Sequence, residues 1–223
     1  MNTTRIIWCP VVVYIELRHS RVRYVWKSLQ GFNAVKLSRS QIAICILTLL
    51  MLSTRGTHFS GLSSLPEASW MIFMAAGTLL PAWSFAWLMS LAVGIDAYAF
   101  TFGDIPGTCL SLVYAMLIPA YLSMWVAGRL ARPYINGRFS GFAMFFGFAM
   151  GATLICELIS SGSFYLWSGN FEPTVAEFIS RELQYAPAVF SSSAYWAIAF
   201  IGAVALHRIY QQTKSRNVVS KEV

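Results

Sequence analysis

Charge is what this chain has least of. Its 223 residues carry nine Asp and Glu against sixteen Lys and Arg, so only 11% are charged while 57% are hydrophobic. Together with a mean hydropathy of +0.59, that balance excludes an ordinary soluble domain of this size. Cysteine is also sparse. The four cysteines form no CxxC pair and no Cys/His ligand spacing, which excludes a zinc site and a disulfide framework. No Walker A sequence occurs, so the chain does not hydrolyse ATP by that route. No basic stripe interleaved with aromatics lies outside the N-terminal segment, and the net charge of +7 is not a nucleic-acid signal. Finally, no methionine stands between Met1 and Met51.

What the chain does have is long stretches almost free of Lys, Arg, Asp and Glu. They predict an all-α, polytopic membrane protein with six spans at about 40–54, 68–81, 83–100, 109–128, 140–160 and 187–209. The first two are short for a hydrocarbon layer of about 30 Å, which needs about 20 helical residues. Helices that stop inside the protein and open a cavity would account for this, as would helices that run a turn further at each end.

Fourteen of the sixteen basic residues fall on one side of this arrangement: Arg5 to Arg39 before span one, Arg129, Arg132 and Arg138 between spans four and five, and Arg208 to Lys221 in the tail. Only Arg55 and Arg181 fall on the other. Acidic residues divide the opposite way, with Glu16 and Glu222 alone on the basic side. The positive-inside rule therefore predicts both termini in the cytoplasm, as an even number of spans requires.

Three segments make up the organisation. Residues 1–38 are a basic extension with an apolar run, WCPVVVYIEL, too short to span and without a signal-peptide cleavage site. Because Val35 stands where an alternative start would open the membrane domain, residues 1–34 are expected to be dispensable, or not part of the native chain. Residues 39–210 form the membrane domain and 211–223 a cytoplasmic tail.

The chemistry-bearing groups gather on the side opposite the basic one. Arg55, His58 and Glu67 lie between spans one and two; Asp96, Asp104 and Cys109 between spans three and four; Glu157, Glu172, Glu177, Arg181 and Glu182 between spans five and six. The three connections are expected to converge on one cavity. In the last of them, Val175, Phe178, Ile179 and Leu183 share a helical face, predicting a short amphipathic helix over the mouth of the bundle.

Cys109 is the cysteine at a Gly/Pro-broken loop, GDIPGT, that turns into an apolar helix. It reads either as a packing residue or as a soft ligand whose thiolate the helix dipole favours. Cys45 and Cys156 sit inside apolar spans and read as packing residues. Asp96 and Glu157 are carboxylates at or near membrane depth, costly unless paired or wetted, and so are functional candidates beside the plainer helix-end and interhelix hydrogen-bond readings. Tyr114 follows Cys109 by five residues, near the same helix face, although interfacial tyrosines are common. Arg181 either grips a ligand or pairs with Glu177 at i−4, a contact worth about 0.3–0.5 kcal/mol. His58 reads as a cap, His207 as a residue near the end of the last helix, and Trp70, Trp83, Trp87, Trp125 and Trp167 as interfacial belt.

From about Ser38 to Tyr210 the chain resembles the BtuM family, the solitary cobalamin-specific S-components of the energy-coupling-factor transporters. The resemblance rests on STRGTHFSGLSSLPEASWMIFMAAG, GIDAYAF, GTCLSLVYAMLIPAYLSMW and CELISSGSFYLWSGNF, in that order. It implies a six-helix bundle in the bacterial inner membrane that takes cobalamin (vitamin B12) from the periplasmic side. It also implies that Cys109 coordinates cobalt, that Asp96 and Tyr114 line the corrin pocket, and that Arg181 is a pocket arginine. Loss of the upper cyano ligand, given a reductant, is part of the same implication. The AxxxA pattern with which many S-components dock to a shared ATPase module is broken here, Ala43 being followed by Leu47. That departure agrees with a carrier that does not require the module. Two other classes stay open: an S-component-like carrier of another vitamin, which needs no thiol, and a thiol-dependent intramembrane enzyme with His58 as base.

Overall fold

The computed structural model describes residues 38–55, 65–102, 112–169, 171 and 174–219, and the chain divides into two units between Leu37 and Ser38. The described residues are all-helical: α1 (Arg39–Thr54), α2 (Ser69–Leu79), α3 (Trp83–Phe102), α4 (Leu112–Ala115), α5 (Leu117–Ala131), a 3-10 turn (Arg132–Tyr134), α6 (Phe139–Trp167) and α7 (Val175–Val219). Two helices, α6 and the Val175–Ser215 part of α7, are long and apolar enough to cross a membrane. Bulky apolar side chains such as Ile46, Leu49, Leu130, Leu154, Leu158 and Ile198 stand exposed, more than the surface of a soluble monomer tolerates.

The chain enters α1 through a capping box: the Ser38 N–H donates to Gln41 Oε1 at 2.8 Å and the Gln41 N–H to Ser38 Oγ at 3.3 Å. The short α2 is apolar on every side, and Met71 to Thr78 are buried without a break, as befits a central element. It packs on α5 backbone to backbone. A Cβ on Gly77 would lie 2.0 Å from the Trp125 carbonyl oxygen, and one on Gly128 2.0 Å from that of Met74. Thr78 Oγ1 closes the seam, 2.9 Å from Met74 O and 3.1 Å from Gly128 O. Small residues and a shared hydroxyl are how apolar helices associate where no hydrophobic difference drives them together.

The two ends of this unit differ. At one, Arg208 of α7 donates to the carbonyls of Ile135 and Asn136 in the loop that also holds Arg132 and Arg138, so basic groups from two parts of the chain meet. At the other, Ser192 Oγ donates to Glu67 O at 2.8 Å and Trp196 Nε1 to Pro66 O at 3.0 Å, docking α7 beside the entry to α2. The acidic groups collect there.

Several expectations change. The amphipathic stretch from Val175 is no separate helix: α7 runs unbroken through Pro187, which costs a helix one backbone bond but does not have to end it in an apolar bundle. His207 is consequently an exposed interior residue of α7, not a terminal one. Helix α6 extends beyond residue 160 to Trp167, stopping where Gly169 adopts φ +70° just past the C-cap Ser168. Cys45 is exposed while Cys156 is fully buried, so only the latter packs in the core. Trp70 and Trp125 pack against the core, whereas Trp83, Trp87 and Trp167 remain about half exposed. Residues 1–37 and 220–223 lie outside the described residues.

The α2–α5 seam makes the first prediction. Gly128→Ala forces the two backbones apart and should destabilise the fold by about 1–3 kcal/mol. Gly147→Ala, whose Cβ meets nothing within 4 Å, should be neutral or slightly stabilising. Melting temperatures in detergent check both; equal shifts would contradict the seam's role.

Candidate functional site

At the acidic end, α1 terminates in a guanidinium. Arg55 is its C-cap residue, and a side chain that is only 7% exposed must find acceptors for several donors. It finds them on three other helices. Nε donates to Asp96 Oδ1 at 2.9 Å and Nη2 to Asp96 Oδ2 at 2.6 Å, a bidentate pair with α3. Nη1 donates to Tyr121 Oη of α5 at 2.6 Å and to Ser69 Oγ of α2 at 3.1 Å, with Glu67 Oε1 3.6 Å away. Ser69 Oγ in turn donates to Glu67 Oε1 at 2.8 Å.

Asp96 carries the contact outward. The Tyr114 hydroxyl of α4 donates to its Oδ2 at 2.7 Å, so one carboxylate oxygen serves both the guanidinium and a phenol. Tyr121 is held from below by stacking on Phe73, ring centres 4.5 Å apart, while the Arg55 guanidinium lies 5.4 Å over its ring. Burial works against the charge on Arg55, but the hydrogen bond and charge of Asp96, with Tyr121 and Glu67, outweigh it. Arg55 therefore holds its proton above the ordinary arginine value.

Two of the four site residues expected from sequence, Asp96 and Tyr114, are thus in direct contact. Arg181 is not in this cluster. It makes the i−4 pair, donating from Nε and Nη2 to Glu177 Oε1 at 3.2 and 3.1 Å, and its guanidinium sits 3.9 Å over the Phe171 ring. Cys109 lies outside the described residues, three positions before α4 begins, as do His58, Asp104 and Glu172. The expected convergence of three connections is seen for two of them: the end of α1 and the start of α2 meet the end of α3 and the start of α4.

Sequence reading passed over Tyr121 and Ser69. Both sit within apolar helices where a hydroxyl reads as belt or packing, and their partner Arg55 is 66 and 14 residues away. The available signal was Arg55 itself, one of two basic residues on the acidic side, which needed neutralising acceptors in reach.

Chemically, the arrangement presents an oriented carboxylate and a phenol whose positions are set by a buried cation. It suits recognition of a large ligand rich in hydrogen-bonding groups. Among the described residues no three His, Cys, Asp and Glu side chains gather as a metal site.

Arg55→Met should leave Asp96 an uncompensated, largely buried charge and destabilise by about 3–5 kcal/mol, whereas Arg55→Met combined with Asp96→Leu should recover much of that loss. Tyr114→Phe should cost about 1 kcal/mol. Thermal unfolding of the set in one detergent checks the ranking, and simple additivity of the double variant would contradict a coupled pair. Compared with known proteins, the chain matches no family model and no curated sequence.

Proposed function

We propose that this chain is a six-span carrier of cobalamin in the bacterial inner membrane, a solitary S-component of the BtuM kind with both termini on the cytoplasmic face. The observation that carries the reading is the Asp96–Tyr114 hydrogen bond of 2.7 Å, locked by Arg55 at the acidic end. These are two of the positions that the resemblance assigns to the corrin pocket. In the sequence Cys109 ends GDIPGTC and stands five residues before Tyr114.

Cobalamin suits such an end. Its rim of amides needs carboxylate, hydroxyl and backbone partners, and Asp96 and Tyr114 offer the first two. Cobalt in the cargo offers an axial position for the Cys109 thiolate once the benzimidazole base has left it. The metal itself favours deprotonation of the thiol as it binds. Removal of the upper cyano ligand belongs to the same reading: cyanide leaves with its bonding pair, and an external reductant supplies any electron that cobalt takes up. The sequence has no Walker A motif, and the broken AxxxA pattern at Ala43 and Leu47 fits a carrier that does not require the ATPase module. The charge division, with Arg132, Arg138 and Arg208 at one end and Glu67 and Asp96 at the other, supports the orientation.

The visible absorption spectrum of purified protein incubated with cyanocobalamin, beside Cys109→Ala, tests this. The expected result is a retained corrin with shifted bands in the wild type and loss of the shift in the variant. No retained corrin in either protein would overturn the reading.

A further inference from the structure

A second set of carboxyl groups, built unlike the first, lies at the seam of α6 and α7. There a cleft of about 470 Å³ is walled by Leu154, Leu158, Phe178 and Phe190 and contains two acids, Glu157 and Glu182. Glu157 is 7% exposed and has no hydrogen-bond or salt-bridge partner among the described residues. It stands ten residues before the end of α6 at Trp167, about 15 Å along the helix, well inside an apolar stretch. Glu182 is brought within about one turn of it: Ser161, four residues after Glu157 on the same helix, donates its hydroxyl to Glu182 Oε1.

The charges around Glu157 offer no compensation. From α7 comes Glu182, and the next charged residues there, Glu177 and Arg181, are paired with each other. From the entry to α2 comes Glu67, and from α5 Tyr121; both lie near Cys156, the neighbour of Glu157, and both belong to the Arg55 cluster. Tyr114 of α4 is committed to Asp96, and the basic 3-10 turn lies at the far end of α6. No Lys, Arg or His among the described residues lines the cleft. Pro187, also in its wall, has no N–H and so adds no donor.

Two carboxyls in an apolar cleft require something positive. A hard metal cation takes about six or more oxygen ligands, more than this lining offers. A proton needs only the two carboxyl groups, because like charges this close do not both persist in a dry setting. We propose that Glu157 and Glu182 share one proton, making the α6–α7 seam a proton-binding site within the apolar layer. The proposal rests on the membrane reading of these helices and not on the identity of the cargo.

Dicyclohexylcarbodiimide attaches to carboxyl groups that are both protonated and shielded from water, and intact-mass and fragment spectrometry read where it goes. On the full-length protein in liposomes at pH 6, one adduct per chain is expected, on Glu157 or Glu182. It should fall at least about five-fold by pH 9, persist in 100 mM sodium, and be lost in Glu157→Gln. No adduct at pH 6, two adducts on one chain, or an adduct surviving in Glu157→Gln would overturn the shared proton. Protection by sodium at constant pH would overturn it in favour of a metal cation. Should Glu157→Gln not purify as a single species, the wild type's responses to pH and sodium decide alone.

Discussion

A guanidinium taken out of water at the end of an apolar helix needs acceptors within reach, and Arg55 finds them across the molecule. Its acceptors come from α2, α3 and α5, so neutralising one charge fixes the relative positions of four helix ends. The α2–α5 seam at Gly77 and Gly128 sets the spacing beneath, and Tyr121 joins the two by stacking on Phe73 while accepting from Arg55. If Arg55 is removed, Asp96 loses the partner that makes its burial tolerable, and Tyr114 loses a fixed acceptor.

That dependence separates two roles for polar groups in this chain. In the Arg55 cluster one cation faces two carboxylates, Asp96 and Glu67, and Asp96 acts as a positioned acceptor that is already engaged on both oxygens. Such a carboxylate orients ligand-binding neighbours without needing to change its own charge. At the α6–α7 seam no Lys, Arg or His among the described residues lines the cleft that holds the two acids. The first arrangement suits recognition, the second an equilibrium that responds to its surroundings.

Much of this was legible from residue type and place. Asp96 near the end of its apolar run was conspicuous because burying a carboxylate alone is costly, and Tyr114 because it stands near the head of its helix. What could not be read was who partners whom. Tyr121 and Ser69 look like belt and packing residues until the fold brings Arg55 to them. Arg181 offered two readings, and the local i−4 contact with Glu177 is the one observed. Helix limits went astray where hydrophobic counting meets real capping. The TVAEF segment seemed to be a short helix of its own from the spacing of Val175, Phe178, Ile179 and Leu183, yet α7 runs on through Pro187. Cys45 shows the same limit: an apolar run says that a residue is in the layer, not which face it turns.

Under the cobalamin-carrier reading proposed above, Cys109 is expected to face the outer side and to meet the cobalt of the cargo. Labelling intact cells with a membrane-impermeant maleimide, with and without added cobalamin, tests position and ligation together. The account predicts that Cys109 is labelled from outside, that cobalamin protects it, and that Cys156 stays unlabelled. Labelling that requires permeabilised cells, or that cobalamin leaves unchanged, would contradict it.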